Sequence, residues 1–190
     1  MTIYLLAGPA EEPVSLAEAK AFLRLDDTAE DALVTTLITA ARLHVEGTTA
    51  RALIAQTWRL VLDGWPTDRA VRLPVAPLMS LTAVTAYDAA GDGHELDLSQ
   101  FDIDAATPRL LVPGDIAGMP SLRERQGLQI DYVAGYSADP EDVPADLKQA
   151  VLALVAYWFE HRDTASLSGP GNGEPAGFDR LVAGYRRARL

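Results

Sequence analysis

The hydrophobic period of this chain changes twice, and those two changes constrain its fold more than any motif does. Between residues 13 and 53 apolar side chains recur at helical spacing. From Gln56 to Val133 they come in short runs broken by turn residues, and after Pro140 helical spacing returns. A period of 3.6 puts apolar groups on one stripe of a helix, and a period of two puts them on one face of a strand. The expected fold class is therefore α+β: a small helical bundle, built from two N-terminal helices and a central helix of the C-terminal half, with an inserted β-rich unit.

Local chemistry marks where these elements begin and end. Ser15 is followed three residues later by Glu18, the spacing of a capping box, and Leu16, Ala19, Phe22 and Leu23 then recur at helical spacing up to Asp26-Asp27. Asp26, Asp27 and Thr28 offer cap oxygens for a second helix, and Glu30 and Asp31 suit the positive end of its dipole. Leu33, Leu37, Ile38, Ala41 and Val45 form its apolar face, which ends near Gly47.

Residues 54–136 form the expected β-rich insertion. Its candidate strands are Gln56–Leu62, Val71–Leu73, Leu81–Tyr87, His94–Leu96, Phe101–Asp104, Arg109–Val112 and Leu128–Val133. Turn clusters such as Asp63-Gly64, Ala90-Gly91-Asp92-Gly93 and Pro113-Gly114 separate them. Pro144 then suits a first helical turn, and Leu147, Val151, Leu154, Val155, Trp158 and Phe159 make a face too broad for a free surface helix. This third helix is expected to be central, packed against the two N-terminal helices. Trp58, Trp65 and Trp158, with Tyr157 and Phe159, are expected to be core anchors rather than base-stacking platforms.

The expected domain plan is one domain over residues 1–163, with helical parts 13–53 and 141–163. A flexible Gly/Ser/Pro-rich linker would cover residues 164–177, followed by a basic amphipathic segment over 178–190. That last segment carries net charge +3 in a chain of net charge −11. Phe178, Leu181, Val182 and Tyr185 fall at helical spacing within it, beside Arg180, Arg186, Arg187 and Arg189. A helix so short is unstable alone. The segment is expected to be disordered in the free protein, to become helical on a partner, and to be removable without harm to the folded body.

Reactive chemistry is absent from the pattern. His161-Arg162-Asp163 matches a kinase catalytic-loop tripeptide, yet it ends a helix and lacks the glycine loop and strand lysine. His44, His94 and His161 lie in three different elements without metal-ligand spacing, and the chain has no cysteine. Gly169-Pro170-Gly171-Asn172-Gly173 lacks the strand, the helix and the Lys or Ser/Thr that a phosphate cradle needs. Asp26, Asp27, Glu30 and Asp31 read as helix-start residues rather than a calcium loop. No catalytic residue, metal ligand or cofactor site is assigned. No apolar run approaches the length of a membrane span, and the acidic balance opposes general affinity for nucleic acid.

The order of these elements resembles the head–tail connector, or adaptor, proteins of long-tailed phages and phage-like gene transfer agents. The resemblance runs over residues 13–163. It is carried first by Ser15-Leu16-Ala17-Glu18-Ala19-Lys20, Leu23-Arg24, Glu30-Asp31, Ala40-Ala41-Arg42, Glu46 and Ala52 to Trp58. It continues through Leu73-Pro74, Pro77-Leu78 and the strand Ser80–Tyr87. Val143-Pro144, Leu147-Lys148-Gln149-Ala150 and Tyr157 to Arg162 complete it. What this resemblance implies is a structural protein forming a ring, a dodecamer, between the portal and the tail or stopper proteins of a particle, with DNA passing through its channel without specific binding. The implied location is the cytoplasm of the producing cell during assembly and then the particle neck. The portal-binding residues expected on this view are Phe178, Arg180, Leu181, Val182, Tyr185, Arg186, Arg187, Arg189 and Leu190. The competing expectation is a small-ligand enzyme or peptide-binding module with a pocket between the helices and the β-unit.

Overall fold

The computed structural model describes residues 1–104, 107–161 and 173–186. The chain divides into two compact units, one of Met1–Pro9 and Ala55–Tyr136, the other of Ala10–Ile54 and Ser137–Leu190.

The first unit is β-rich. Its strands are β1 (Thr2–Ala7), β2 (Gln56–Leu62), β3 (Ala70–Arg72), β4 (Leu78–Tyr87), β5 (Gly93–Glu95), β6 (Asp102–Asp104), β7 (Arg109–Leu111) and β8 (Leu128–Ala134). Among the described residues they form a five-stranded sheet in the order β1-β2-β8-β4-β5 and a three-stranded sheet in the order β3-β7-β6, with every pairing antiparallel. β8 lies at the centre of the larger sheet. Its Leu128, Ile130, Tyr132 and Ala134 are buried, while Gln129, Asp131 and Val133 on the other face are half-buried. Opposite Asp131 on β2 stands Arg59, whose Nε and Nη2 donate to the two carboxylate oxygens at 2.7 and 2.6 Å. The hydrogen bonds to Asp131 raise the Arg59 pKa above its ordinary value.

The seven expected strands are all present, with ends shifted by up to three residues. β1 was not foreseen: its residues show no alternation, and it becomes a strand by pairing with β2, Thr2 opposite Val61 through Ala7 opposite Thr57. One glycine is dictated by close approach. A Cβ on Gly127 would lie 2.8 Å from the Asp63 carbonyl and 2.9 Å from that of Arg123, where the chain enters β8.

The second unit contains α1 (Leu16–Leu23), α2 (Asp31–Thr49), α3 (Ala145–Glu160) and α4 (Phe178–Val182). The capping box forms at α1: Ser15 Oγ accepts from the Glu18 N–H at 3.2 Å, and Glu18 Oε2 accepts from the Ser15 N–H at 2.8 Å. These bonds to Ser15 hold the Glu18 carboxyl below its ordinary pKa. α2 starts later than the cap oxygens of Asp26 to Thr28 suggest, with Glu30 at its N-cap and no side-chain cap bond. Its buried face is Val34, Ile38, Ala41, Arg42, Val45 and Thr49.

α3 packs on α1, α2 and α4, as its broad apolar face requires, and buries Leu147, Ala150, Val151, Leu154 and Val155. Trp58, Trp65, Trp158, Tyr157 and Phe159 do not reach full burial. The large aromatics with almost no exposure are Tyr132 and Phe178. Trp158 sits at the last turns of α3, where its indole N–H donates to the Gly173 carbonyl at 2.7 Å.

Candidate partner-binding surface

The C-terminal segment is joined to the second unit at several points. Gly177, at φ 93°, takes the left-handed conformation that turns the chain into α4. Phe178 and Val182, one turn apart, are buried at 1% and 0% exposure, and α4 packs on α3 and α2. The Phe178 ring faces His44 of α2, and the imidazole of His44 meets Trp158 edge-on at 5.8 Å between centroids. His44 Nε2 is 2.8 Å from Glu174 Oε1. Farther along, Arg51 Nε donates to the Tyr185 carbonyl at 2.9 Å, and its guanidinium lies 5.8 Å from the Tyr185 ring centre.

The expected partner-binding residues are thus divided. Phe178 and Val182 belong to the chain's own core, Leu181 and Tyr185 are half-buried, and Arg180 and Arg186 are exposed. Arg186 pairs with Asp179 at 2.6 Å. Arg187, Arg189 and Leu190 lie outside the described residues, as does the linker over residues 164–172. Residues 178–186 do not conform to the expectation of a segment ordered only by a partner. Phe178 and Val182, which a bare tail would present to water, are buried here against the packing of α4 on α2 and α3. His44 and Glu174 are the contributors that sequence reasoning missed. They are 130 residues apart, and neither stands in a motif.

An open pocket of about 310 Å³ lies among the helices, lined by Glu11, Glu12, Val14, Ser15, Leu16, Glu18, Thr35, Ile38 and Pro140. Two of its three glutamates are engaged in structure. Glu12 accepts from Arg42 and Thr39, and Glu18 from Ser15 and Lys148. Within its lining Ser15 Oγ donates to Glu18 Oε2 at 2.8 Å, and both groups are held in the α1 capping box. Among the described residues no cluster of His, Cys, Asp and Glu could hold a metal ion, and no helix is long and apolar enough to cross a membrane.

The head completion protein family model matches residues 13–178. No curated protein matches the chain. Among solved structures, the chain is similar to one from the neck of an empty gene transfer agent particle computed with C6 symmetry, at 31% identity and a TM-score of 0.81. It is similar to one from the virion of a native gene transfer agent particle, at 31% identity and a TM-score of 0.82. A third is from the neck of a native particle computed with C12 symmetry, at 29% identity and a TM-score of 0.80. Each similarity covers 100% of this chain and 97% of the other. With the family model matching residues 13–178, the chain belongs to the head completion protein family, the head–tail connectors of long-tailed phages and phage-like gene transfer agents, and is by that membership a structural protein, not an enzyme.

Proposed function

We propose that this protein is the adaptor ring between the portal and the tail-side proteins of a phage-like particle, with DNA passing through its channel. The observation that carries this reading is the end-to-end similarity, at 31% identity, to a chain in the neck of a gene transfer agent particle. The protein would be made in the cytoplasm of the producing cell and end in the particle neck. Twelve copies are proposed from the twelve-fold symmetry of a similar neck.

The charge of the chain supports a passive conduit. At net −11 it has little means to release counterions from DNA, and an acidic wall repels phosphate rather than gripping it. The portal contact is proposed on the C-terminal segment. Phe178 and Val182 fasten α4 to the body, and on this proposal Arg180, Arg186, Arg187 and Arg189 meet acidic groups and helix C-termini of the portal while Leu181, Tyr185 and Leu190 supply apolar contacts. A single contact of this size is weak, but a ring presents many at once, and avidity makes the joint durable.

The test is particle assembly with the four arginines changed together, Arg180→Glu, Arg186→Glu, Arg187→Glu and Arg189→Glu. DNA-filled heads without tails are expected, from a protein whose circular dichroism is unchanged. Normal tailed particles would move the portal contact elsewhere. Size-exclusion with light scattering, alone and with portal, tests ring formation separately.

A further inference from the structure

We propose that neighbouring copies join by extending one β-sheet, the β1 edge of one copy pairing with the free part of β4 in the next. This rests on the ring reading above, and it names the surface that makes the ring.

The large sheet has two open margins among the described residues. β1 is an end strand, and it is exposed on both faces: Tyr4, Leu5 and Leu6 are 49, 50 and 46% exposed. At the other side β5 covers only Thr85, Ala86 and Tyr87 of β4, and the Leu96 N–H takes the Val84 carbonyl. Leu78–Ala83 therefore has β8 as its one strand partner, while the turn Leu98–Gln100 packs against β4 without pairing to it. The register to β8 steps past Met79 and Thr82, and both side chains are exposed.

Open sheet edges invite pairing, and soluble proteins blunt them with charge or proline. Neither defence is present here. Thr2–Ala7 and Leu78–Ala83 contain no charged residue and no proline, and Leu73–Tyr87 is the longest uncharged run in a chain that is 23% charged. Copies of net charge −11 repel one another, so they approach most easily along their neutral strips.

Strand direction selects a second copy as the occupant. The pairings β1-β2, β2-β8 and β8-β4 are all antiparallel, so β1 and β4 run in opposite directions. Setting the next copy's β1 beside β4 continues the same alternation. A rotation about an axis along the strands carries one copy onto the next, and such head-to-tail contacts between two different surfaces make a ring where that rotation divides a full turn. Pairing β1 with β1 about a two-fold axis would stop at a dimer.

The natural chain has no cysteine, which makes cross-linking clean. The full chain carrying Tyr4→Cys with Thr82→Cys, and companions carrying Leu5→Cys with Met79→Cys or Ser80→Cys to bracket the register, would be assembled into particles and oxidised. At least one double variant is expected to give a ladder of dimers, trimers and higher species on a non-reducing denaturing gel, while each single variant stays monomeric. Dimers from Tyr4→Cys alone would overturn the head-to-tail arrangement. Multimers of normal mass with no covalent ladder in any pair would overturn the edge assignment while leaving the ring intact. No multimer from the unsubstituted chain, alone or on portal, would remove the ring reading and this proposal with it. Leu5→Lys is a second arm. It should abolish multimer formation with unchanged circular dichroism, and normal multimers from it would also count against the edge.

Discussion

The rings of Phe178 and His44 lie 5.5 Å apart, centroid to centroid, at an interplanar angle of 55°, joining α4 to α2 across 134 residues of sequence. The contact makes the C-terminal segment part of the body. Phe178→Ala is expected to cost about 3–5 kcal/mol, the usual range for emptying a buried phenyl site. Trp158→Ala should cost less, because that side chain is only half-buried. Ending the chain at Gly177 should lower the melting temperature as well. Thermal unfolding of the three variants checks this, and an unchanged melting temperature for Phe178→Ala would return the segment to the status of a bare tail.

Arg42 ties the segment before α1 to α2. Its Nε donates to Glu12 at 2.7 Å and its Nη1 to Glu46 at 2.8 Å, with the guanidinium side chain only 8% exposed. Burial alone would lower the Arg42 pKa, but its two carboxylate partners outweigh this and raise it. Arg42→Ala leaves Glu12 and Glu46 without their shared cation, and the expected loss is about 3–5 kcal/mol. Urea denaturation measures it. If Glu12→Gln in the same chain recovers none of that loss, uncompensated carboxylate charge is not its source.

The α1 cap carries a pH signature. The folded Glu18 carboxyl titrates below its ordinary value of 4.5, so the stability it contributes is present above that value and is lost as pH falls through the folded one. Ser15→Ala should cost about 1 kcal/mol at neutral pH. It should also flatten the dependence of stability on pH below about 4.5. Denaturant titrations of both proteins across that range decide the point, and parallel pH curves would show that the box does not hold Glu18 down.

Ala50 closes α2 in the left-handed region, at φ 54° and ψ 37°. An L side chain there costs about 1–2 kcal/mol, part of which glycine would recover against its own greater freedom in the unfolded chain. Ala50→Gly is expected to raise stability by about 0.5–1 kcal/mol. A destabilised variant in chemical denaturation would mean that the methyl group packs more than it strains.

No retention of duplex DNA is expected at about 0.15 M salt, since net −11 opposes phosphate contact. A gel-shift assay on the whole chain tests this, beside a variant with Arg180, Arg186, Arg187 and Arg189 changed to Gln. Tight, salt-sensitive binding that persists in the variant would contradict the passive conduit.

Where each element lies was legible from the residues wherever its cause was local. The capping box needs only Ser15 and Glu18, three residues apart, and it formed as spaced. The alternation of Leu128, Ile130 and Tyr132 marked β8 for the same reason, since neighbouring positions on a strand face opposite ways. β1 and the docking of α4 could not be read in that way. Thr2–Ala7 carries no period, and it is a strand only because β2 lies beside it, more than fifty residues away. Phe178 and Val182 had the spacing of anchors, but spacing does not say whether the groove they fill belongs to a partner or to α2 and α3 of the same chain. Sequence by itself determined helices α1 to α3, seven strands, the α1 capping box and the family. Tertiary structure decided the eighth strand and the fate of the C-terminal anchors, because both depend on long-range burial that no local interaction encodes.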